Sequence, residues 1–194
     1  MVSSGVPVII GWEGWTVRVI ATCTIALMLA SSARAADVDW KMYGGATADA
    51  QSFCFYDANG VAIAHSGYVR VWTKCLRKAD LESVYFKGDR GRQIVDNAAK
   101  KVIDGYVPPI VAIGEMSVKQ AVDVMAYEES ANLGDSEERA SFFLELNCSA
   151  RMQRSLGSSV TANDRAGFEP KPGDWEQVPP KGKGANLQKI LCPK

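Results

Sequence analysis

The chain has 194 residues, and its 22 lysines and arginines balance its 22 aspartates and glutamates. A protein whose main partner is nucleic acid needs a surplus of basic side chains to neutralise phosphates, so the absence of such a surplus argues against that class. There is a single histidine, His65, which removes most of the usual catalytic and metal-binding constellations from consideration.

Residues 17–36 have the pattern of a secretory signal. Arg18 precedes an uncharged, mostly apolar run over residues 19–30, and a small-x-small triplet of the kind that signal peptidase cuts follows it. The predicted cleavage site consists of Ala33, Ala35 and Ala36. The run is shorter than the roughly 20 residues that cross a bilayer as a helix. We therefore expect removal of residues 1–35, export to the periplasm or the outer cell surface, and no integral membrane span in the mature chain.

The segment before this signal is unusual, because it contains Glu13 and two tryptophans. A start site assigned too far upstream would explain these residues, and a retained membrane anchor is the alternative to cleavage. Cleavage would remove Arg18, Arg34 and Glu13, and would leave a net charge near −1 on the mature domain, 36–194.

Export would also account for the cysteines. The signal contains Cys23, and its removal turns an odd count of five into four. Disulfides persist in oxidising compartments, so four remaining cysteines indicate a domain held by two disulfides. These residues are Cys54, Cys75, Cys148 and Cys192. Three pairings are possible, and pairing each cysteine with its nearer neighbour in sequence is the simplest. The close ligand pairs of zinc sites are absent, which makes zinc a poor alternative.

Strand signals dominate the first part of the mature chain. The predicted strands are residues 40–43, 52–56 and 68–75, with a strong turn signal at 57–60. The third alternates strictly, so we expect Val69, Val71, Thr73 and Cys75 to face the core and the other set to face solvent. Together these segments predict an antiparallel meander.

A helical insertion, about residues 92–134, follows. Apolar residues from Ile94 to Tyr106 are spaced by three and four, which predicts one helical face. Ser117 and Gln120 predict the capped start of a second helix, which ends near Gly134. We expect both apolar faces to pack against the rest of the domain rather than to form a ligand groove.

Strand signals return over residues 142–148 and 151–156, and residues 185–191 form a predicted terminal helix. Strands, then helices, then strands indicate an α+β domain rather than a βαβ repeat. The predicted fold is an antiparallel, meander-like β-sheet with a helical insertion of about two helices and a short C-terminal helix, held by disulfides.

Catalytic interpretations lack the necessary parts. His65 lies in a turn-like segment, and the pairs Glu128-Glu129 and Glu137-Glu138 lie on or near a helix whose other face is apolar, so we expect all of them to be solvated. Phosphate-loop, dinucleotide-binding and nucleophile-elbow motifs are absent. We therefore predict no catalytic, cofactor-binding or metal-binding residues.

Several short motifs resemble the bacterial surface-adhesin protein E family in their order and spacing. They lie within residues 37–76 and 143–192, and the matching segments are Trp40–Tyr43, Phe55–Asp57, Val69–Lys74, Glu145–Cys148, Arg151–Leu156, Asp174–Pro179 and Leu187–Cys192. The resemblance implies an antiparallel sheet to which a disulfide clips a short C-terminal helix. That would pair Cys148 with Cys192 and leave Cys54 with Cys75 as a second staple.

The family's namesake binds host extracellular-matrix and serum proteins, but function does not follow from a fold. The leading hypothesis is an exported, non-enzymatic domain whose partner is a protein, either a host matrix protein or an envelope protein. The alternative is a periplasmic accessory protein that docks on another envelope protein through the helical insertion, which an exposed apolar patch on its helices would favour. A hydrolase is the third hypothesis, and it requires two carboxylates about 5 to 10 Å apart in a cleft. Its candidates are Glu115, Asp123, Glu128 and Glu129.

Overall fold

The structure is a computed structural model that describes residues 38–45, 51–64, 67–85, 88–114, 116–133, 140–159 and 167–192. These residues belong to a compact unit that spans residues 37–194. Several predictions fall outside the described ranges. They are those for the cleavage site (Ala33, Ala35 and Ala36), His65, Glu115 and the pair Glu137-Glu138.

The described part of the chain contains eight strands and five helices, which confirms the α+β class. The strands are β1 Trp40–Gly44, β2 Ser52–Asp57, β3 Ala62–Ala64, β4 Tyr68–Arg77, β5 Ser141–Asn147, β6 Met152–Ser159, β7 Phe168–Pro170 and β8 Glu176–Gln177. The helices are α1 Lys78–Tyr85, α2 Gly88–Ile103, α3 Pro109–Ala112, α4 Val118–Leu133 and α5 Lys183–Leu191.

All strand pairs are antiparallel, and the main path of the sheet is β1-β2-β4-β5-β6-β7. The short strands β3 and β8 pair with β4 and β6, respectively. Helices cover both faces of this sheet. On one face, Phe55 and Trp72 belong to a core with residues of α1, α3 and α4. On the other, Val71 and Leu146 pack with Leu187 of α5.

The burial pattern of β4 differs from the prediction. Val69, Val71 and Thr73 are buried as expected, but Cys75 is exposed, and Trp72 and Lys74 on the opposite face are buried as well. Alternation predicts one buried face, and here the helical insertion buries the second face over the C-terminal half of the strand.

The helical insertion is longer than predicted. It begins with α1, which follows β4 without a loop and is anchored by the buried Leu81. Its two long helices, α2 and α4, correspond to the predicted pair. Ser117 and Gln120 form the expected capping box at the start of α4, since each side chain accepts a hydrogen bond from the backbone amide of the other.

Helix α2 packs on α4 instead of on the sheet. Ile94 and Ala98 are buried against Met125 and Ala126 of α4. Because α2 is the outer layer, part of its predicted apolar face is left in solvent, and Ile103 is 83% exposed.

Both disulfides join nearest neighbours in sequence. Cys54 of β2 lies directly opposite Cys75 of β4, with a Cα–Cα distance of 4.1 Å. Cys148 follows β5 and binds Cys192 at the end of α5, with a Cα–Cα distance of 5.5 Å. The second bridge ties the terminal helix to the sheet.

Candidate functional site

The candidate carboxylates occupy three different environments. Asp123 is exposed, while Glu129 pairs with Lys101 at 2.7 Å and keeps a quarter of its side chain in solvent. Glu128 is only 1% exposed, so the prediction that it is solvated is wrong. Neighbouring residues on a helix point in different directions. Glu128 turns toward β1 and Glu129 toward α2, so this pair does not form a two-carboxylate cleft.

Glu128 is buried because α4 packs along the outer edge of the sheet. Its Oε1 atom accepts a hydrogen bond from the Met42 amide of β1 at 2.9 Å. Four residues later, Asn132 accepts one from the Trp40 amide at 2.7 Å and donates one to the Trp40 carbonyl at 3.2 Å. An edge strand exposes unpaired backbone groups. Glu128 and Asn132, four residues apart on α4, form hydrogen bonds with these backbone groups of β1. Both side chains therefore have a structural role.

The electrostatic environment of Glu128 follows from its burial. Burial raises the pKa of its carboxyl from 4.5 to about 7, and the hydrogen bond from Met42 and the charge of Lys41 offset this rise only in part. Asp39 raises the pKa further and Lys101 lowers it. Within the described residues, the Oε2 atom has no hydrogen-bond partner. With 1% exposure, this group stays out of reach of a substrate.

Lys74 is a second buried charge that the sequence did not reveal. It is fully buried, its Nζ atom lies 4.3 Å from the centre of the Trp40 ring, and it donates a hydrogen bond to the carbonyl of Ala131 at 3.1 Å. That carbonyl is in the last turn of α4, which has no basic residue of its own. The lysine therefore caps the negative end of the helix from the sheet. Burial lowers its pKa from 10.5 to about 7, against the opposing attraction of Asp57.

The remaining candidate is a surface on the face of the sheet that carries the insertion, at the end away from Lys74. We call it the arginine–aromatic surface, and it consists of Tyr68, Arg70, Glu145, Arg154 and Trp175. Arg70, Glu145 and Arg154 lie side by side on β4, β5 and β6 through the strand register. Trp175 precedes β8, whose pairing with β6 brings the indole over Arg154.

Glu145 holds the two arginines in place. Its Oε1 accepts from Arg70 Nε at 2.7 Å, and its Oε2 accepts from Arg154 Nε and Nη2 at 2.8 and 2.6 Å. The Glu145 side chain is 4% exposed, whereas Arg70 and Arg154 are 46% and 31% exposed. Burial alone would raise the pKa of Glu145, but the hydrogen bonds from Arg70 and Arg154 outweigh it and hold the pKa below its ordinary value. The carboxylate is thus an internal support, and the guanidinium groups face outward.

Aromatic rings flank these arginines. The Arg154 guanidinium lies 4.6 Å from the centre of the Trp175 ring, and Trp175 and Tyr68 are in contact with ring centres 5.7 Å apart. On the other side, Ala62 of β3 lies opposite Arg70. This small side chain leaves the arginine uncovered. Stacking on a ring fixes the plane of a guanidinium, so the surface presents ordered donors beside apolar rings.

Sequence reasoning missed this surface. Arg70 and Trp175 are 105 positions apart in the printed chain, and only the strand register brings them together. The alternation in β4 placed Arg70 on the face expected to be exposed, and this was the only local signal in the sequence that pointed to the surface. Four of the five residues lie in segments that carry the family resemblance, but those motifs gave them no role.

Two further features, a metal-binding cluster and a membrane-spanning helix, are absent from the described part of the chain. Among these residues, no group of three or more histidine, cysteine, aspartate or glutamate side chains is arranged to hold a metal ion. None of the described helices is long and apolar enough to cross a membrane.

Comparisons with protein-family models, curated proteins and solved structures give no match to the chain. The resemblance to the adhesin family therefore stays a prediction from the sequence.

Proposed function

We propose that the chain is an exported, non-enzymatic domain of the cell envelope that binds a protein partner through the arginine–aromatic surface. The observation that carries the proposal is the ordered placement of two arginines, a tryptophan and a tyrosine around one buried carboxylate. Tryptophan, tyrosine and arginine are the residue types that dominate binding energy at protein interfaces.

The order in this surface favours binding over a purely structural role. Arg70 keeps 46% of its side chain exposed while it pairs with Glu145, so its guanidinium group is accessible to a partner. Holding flexible arginines in one conformation before binding removes an entropy cost that the complex would otherwise bear. The two disulfides and the signal-like segment support export, because such bridges persist outside the reducing cytoplasm.

A second candidate function is docking on an envelope protein through the helical insertion. Among the described residues, six of the eight exposed large apolar side chains lie in the insertion. Val118 and Leu133 are at opposite ends of α4, so they do not share one patch. Ile103 ends α2, and the exposed Tyr106 and Val107 follow within four positions. We call this exposed apolar segment the apolar patch, and it favours this function.

Photo-crosslinking in living cells separates the two functions. We would place a benzoylphenylalanine at Tyr68 in the arginine–aromatic surface, at Ile103 in the apolar patch, and at the exposed Asp123 as a control. The proposal predicts a protein adduct from position 68 and none from position 123. An adduct from position 103 alone would reject the first function and support the second.

A further inference from the structure

The arginine–aromatic surface has more hydrogen-bond donors than its own carboxylate uses. Each guanidinium carries five N–H donors. Arg70 uses its Nε on Glu145, and Arg154 uses its Nε and Nη2. Within the described ranges, the two Nη atoms of Arg70 and Nη1 of Arg154 donate to no protein acceptor. The surface therefore retains one surplus positive charge and a set of outward donors.

We propose that this surface recognises carboxylate side chains of the partner protein, with Arg70 and Arg154 as the contacting residues. This inference rests on the proposed function and specifies the chemistry of its partner. A guanidinium binds a carboxylate through two parallel N–H donors, a geometry that a lysine does not offer. The rings of Trp175 and Tyr68 beside it suit the apolar part of a protein surface.

The charge balance favours a protein over a polyanion. A nucleic acid or a sulfated polysaccharide is held by many positive charges along its length. Here the surface has a surplus of one charge, with two arginines against Glu145, and the whole chain is neutral. One or two carboxylates match this surplus, and the adjacent aromatic rings add apolar contact area.

The test is an NMR titration of the disulfide-bonded mature domain. The signals followed are the Arg70 and Arg154 Nε–H groups and the Trp175 indole N–H. The probes are a capped hexapeptide of alternating glutamate and serine, its glutamine counterpart, and a sulfated dextran oligosaccharide. In an extended peptide, alternation places the glutamates on one side. The acidic peptide should shift all three signals, and the glutamine peptide should shift none.

Variants assign the effect to the arginines. Arg70→Gln should weaken binding of the acidic peptide about tenfold, because it removes a charged donor pair. Arg70→Lys keeps the charge but loses the fork, so it should weaken binding less than Arg70→Gln does. If Arg70→Gln fails to fold, Arg70→Lys alone tests whether binding of the acidic peptide depends on the guanidinium group. Arg92→Gln, at an exposed arginine that pairs with Asp89 on α2, is the matched control and should bind normally.

Three results would overturn the inference: no shift in these signals, equal shifts with the glutamine peptide, or shifts with the sulfated dextran alone. Each would leave the proposed function standing if the crosslink at position 68 is still formed, because the partner would then contact the rings without carboxylates. If the acidic peptide shifted none of the three NMR signals and position 68 formed no crosslink, both proposals would be rejected.

Discussion

Glu128→Gln provides a quantitative test of how α4 is attached to the sheet. The substitution keeps the acceptor for the Met42 amide and removes the buried charge. In the wild type, the carboxyl pKa is 4.5 when unfolded and about 7 when folded. A group whose pKa is raised by folding contributes stability that is complete below its unfolded pKa and is lost as the pH rises through its folded pKa.

This shift corresponds to roughly 3 kcal/mol of unfolding free energy, most of it lost between about pH 5 and pH 8. Glutamine has no charge to bury, so the variant should lack this loss. Its side-chain NH2 takes the place of the unpartnered Oε2 atom and carries a cost of about 1–3 kcal/mol at both pH values. The stability of the variant relative to the wild type should therefore rise by about 2–3 kcal/mol from the lower to the higher pH.

Urea denaturation at the two pH values measures this change, and the amide cost cancels in the comparison. Glu129→Gln is the matched control, because that neighbour keeps a quarter of its side chain in solvent in its pair with Lys101. Its difference from wild type should stay within about 0.5 kcal/mol across the range, as expected for a surface ion pair. A Glu128→Gln variant whose stability follows the same pH dependence as wild type would refute the assignment of a buried, proton-binding carboxyl.

Four further predictions test separate contacts. Folding depresses the pKa of Lys74, so the stability of the wild type should rise by roughly 2 kcal/mol from about pH 7 to pH 9. Urea denaturation of Lys74→Met should show that this rise is lost. Asn132→Ala removes two hydrogen bonds to the backbone of β1, so it should cost about 1–3 kcal/mol of stability and speed hydrogen exchange at Trp40. Leu133→Ala, at an exposed neighbour, should change neither the stability nor the exchange rate. Cys192→Ser should cost about 2–5 kcal/mol, and an unchanged melting temperature would mean that the bridge to α5 does not support the fold. Sequencing of the exported protein should find Ala36 at its N-terminus, and a retained Met1 would contradict export through the signal.

Local patterns predicted the elements better than their surroundings. The alternation in β4 and the capping residue Ser117 are short-range signals, and both correspond to elements of the structure. The same alternation assigned Lys74 to solvent, because a period of two shows which residues share a face but not whether a second layer covers it. The layer that buries it is the helical insertion, which lies beyond β4 in sequence.

The polar contacts of the fold could not be predicted from the sequence for a related reason. Glu128 and Asn132 have the spacing and composition of an ordinary solvated helix face. The burial of Glu128 and the hydrogen bonds of Asn132 to Trp40 depend on the edge strand against which α4 packs. The arginine–aromatic surface likewise depends on the register of β4, β5 and β6, and an alternating pattern on each strand leaves that register undetermined.

The most direct test of the proposed function is the affinity of the crosslinked partner, once identified, for variants of the purified mature domain. Trp175→Ala should raise the dissociation constant by about 30-fold, the effect of losing a residue worth about 2 kcal/mol at an interface. Ile103→Ser, on the exposed apolar patch of the insertion, should leave the constant within about twofold. If Ile103→Ser raised the dissociation constant and Trp175→Ala left it unchanged, the result would contradict the account and place the binding site on the helices.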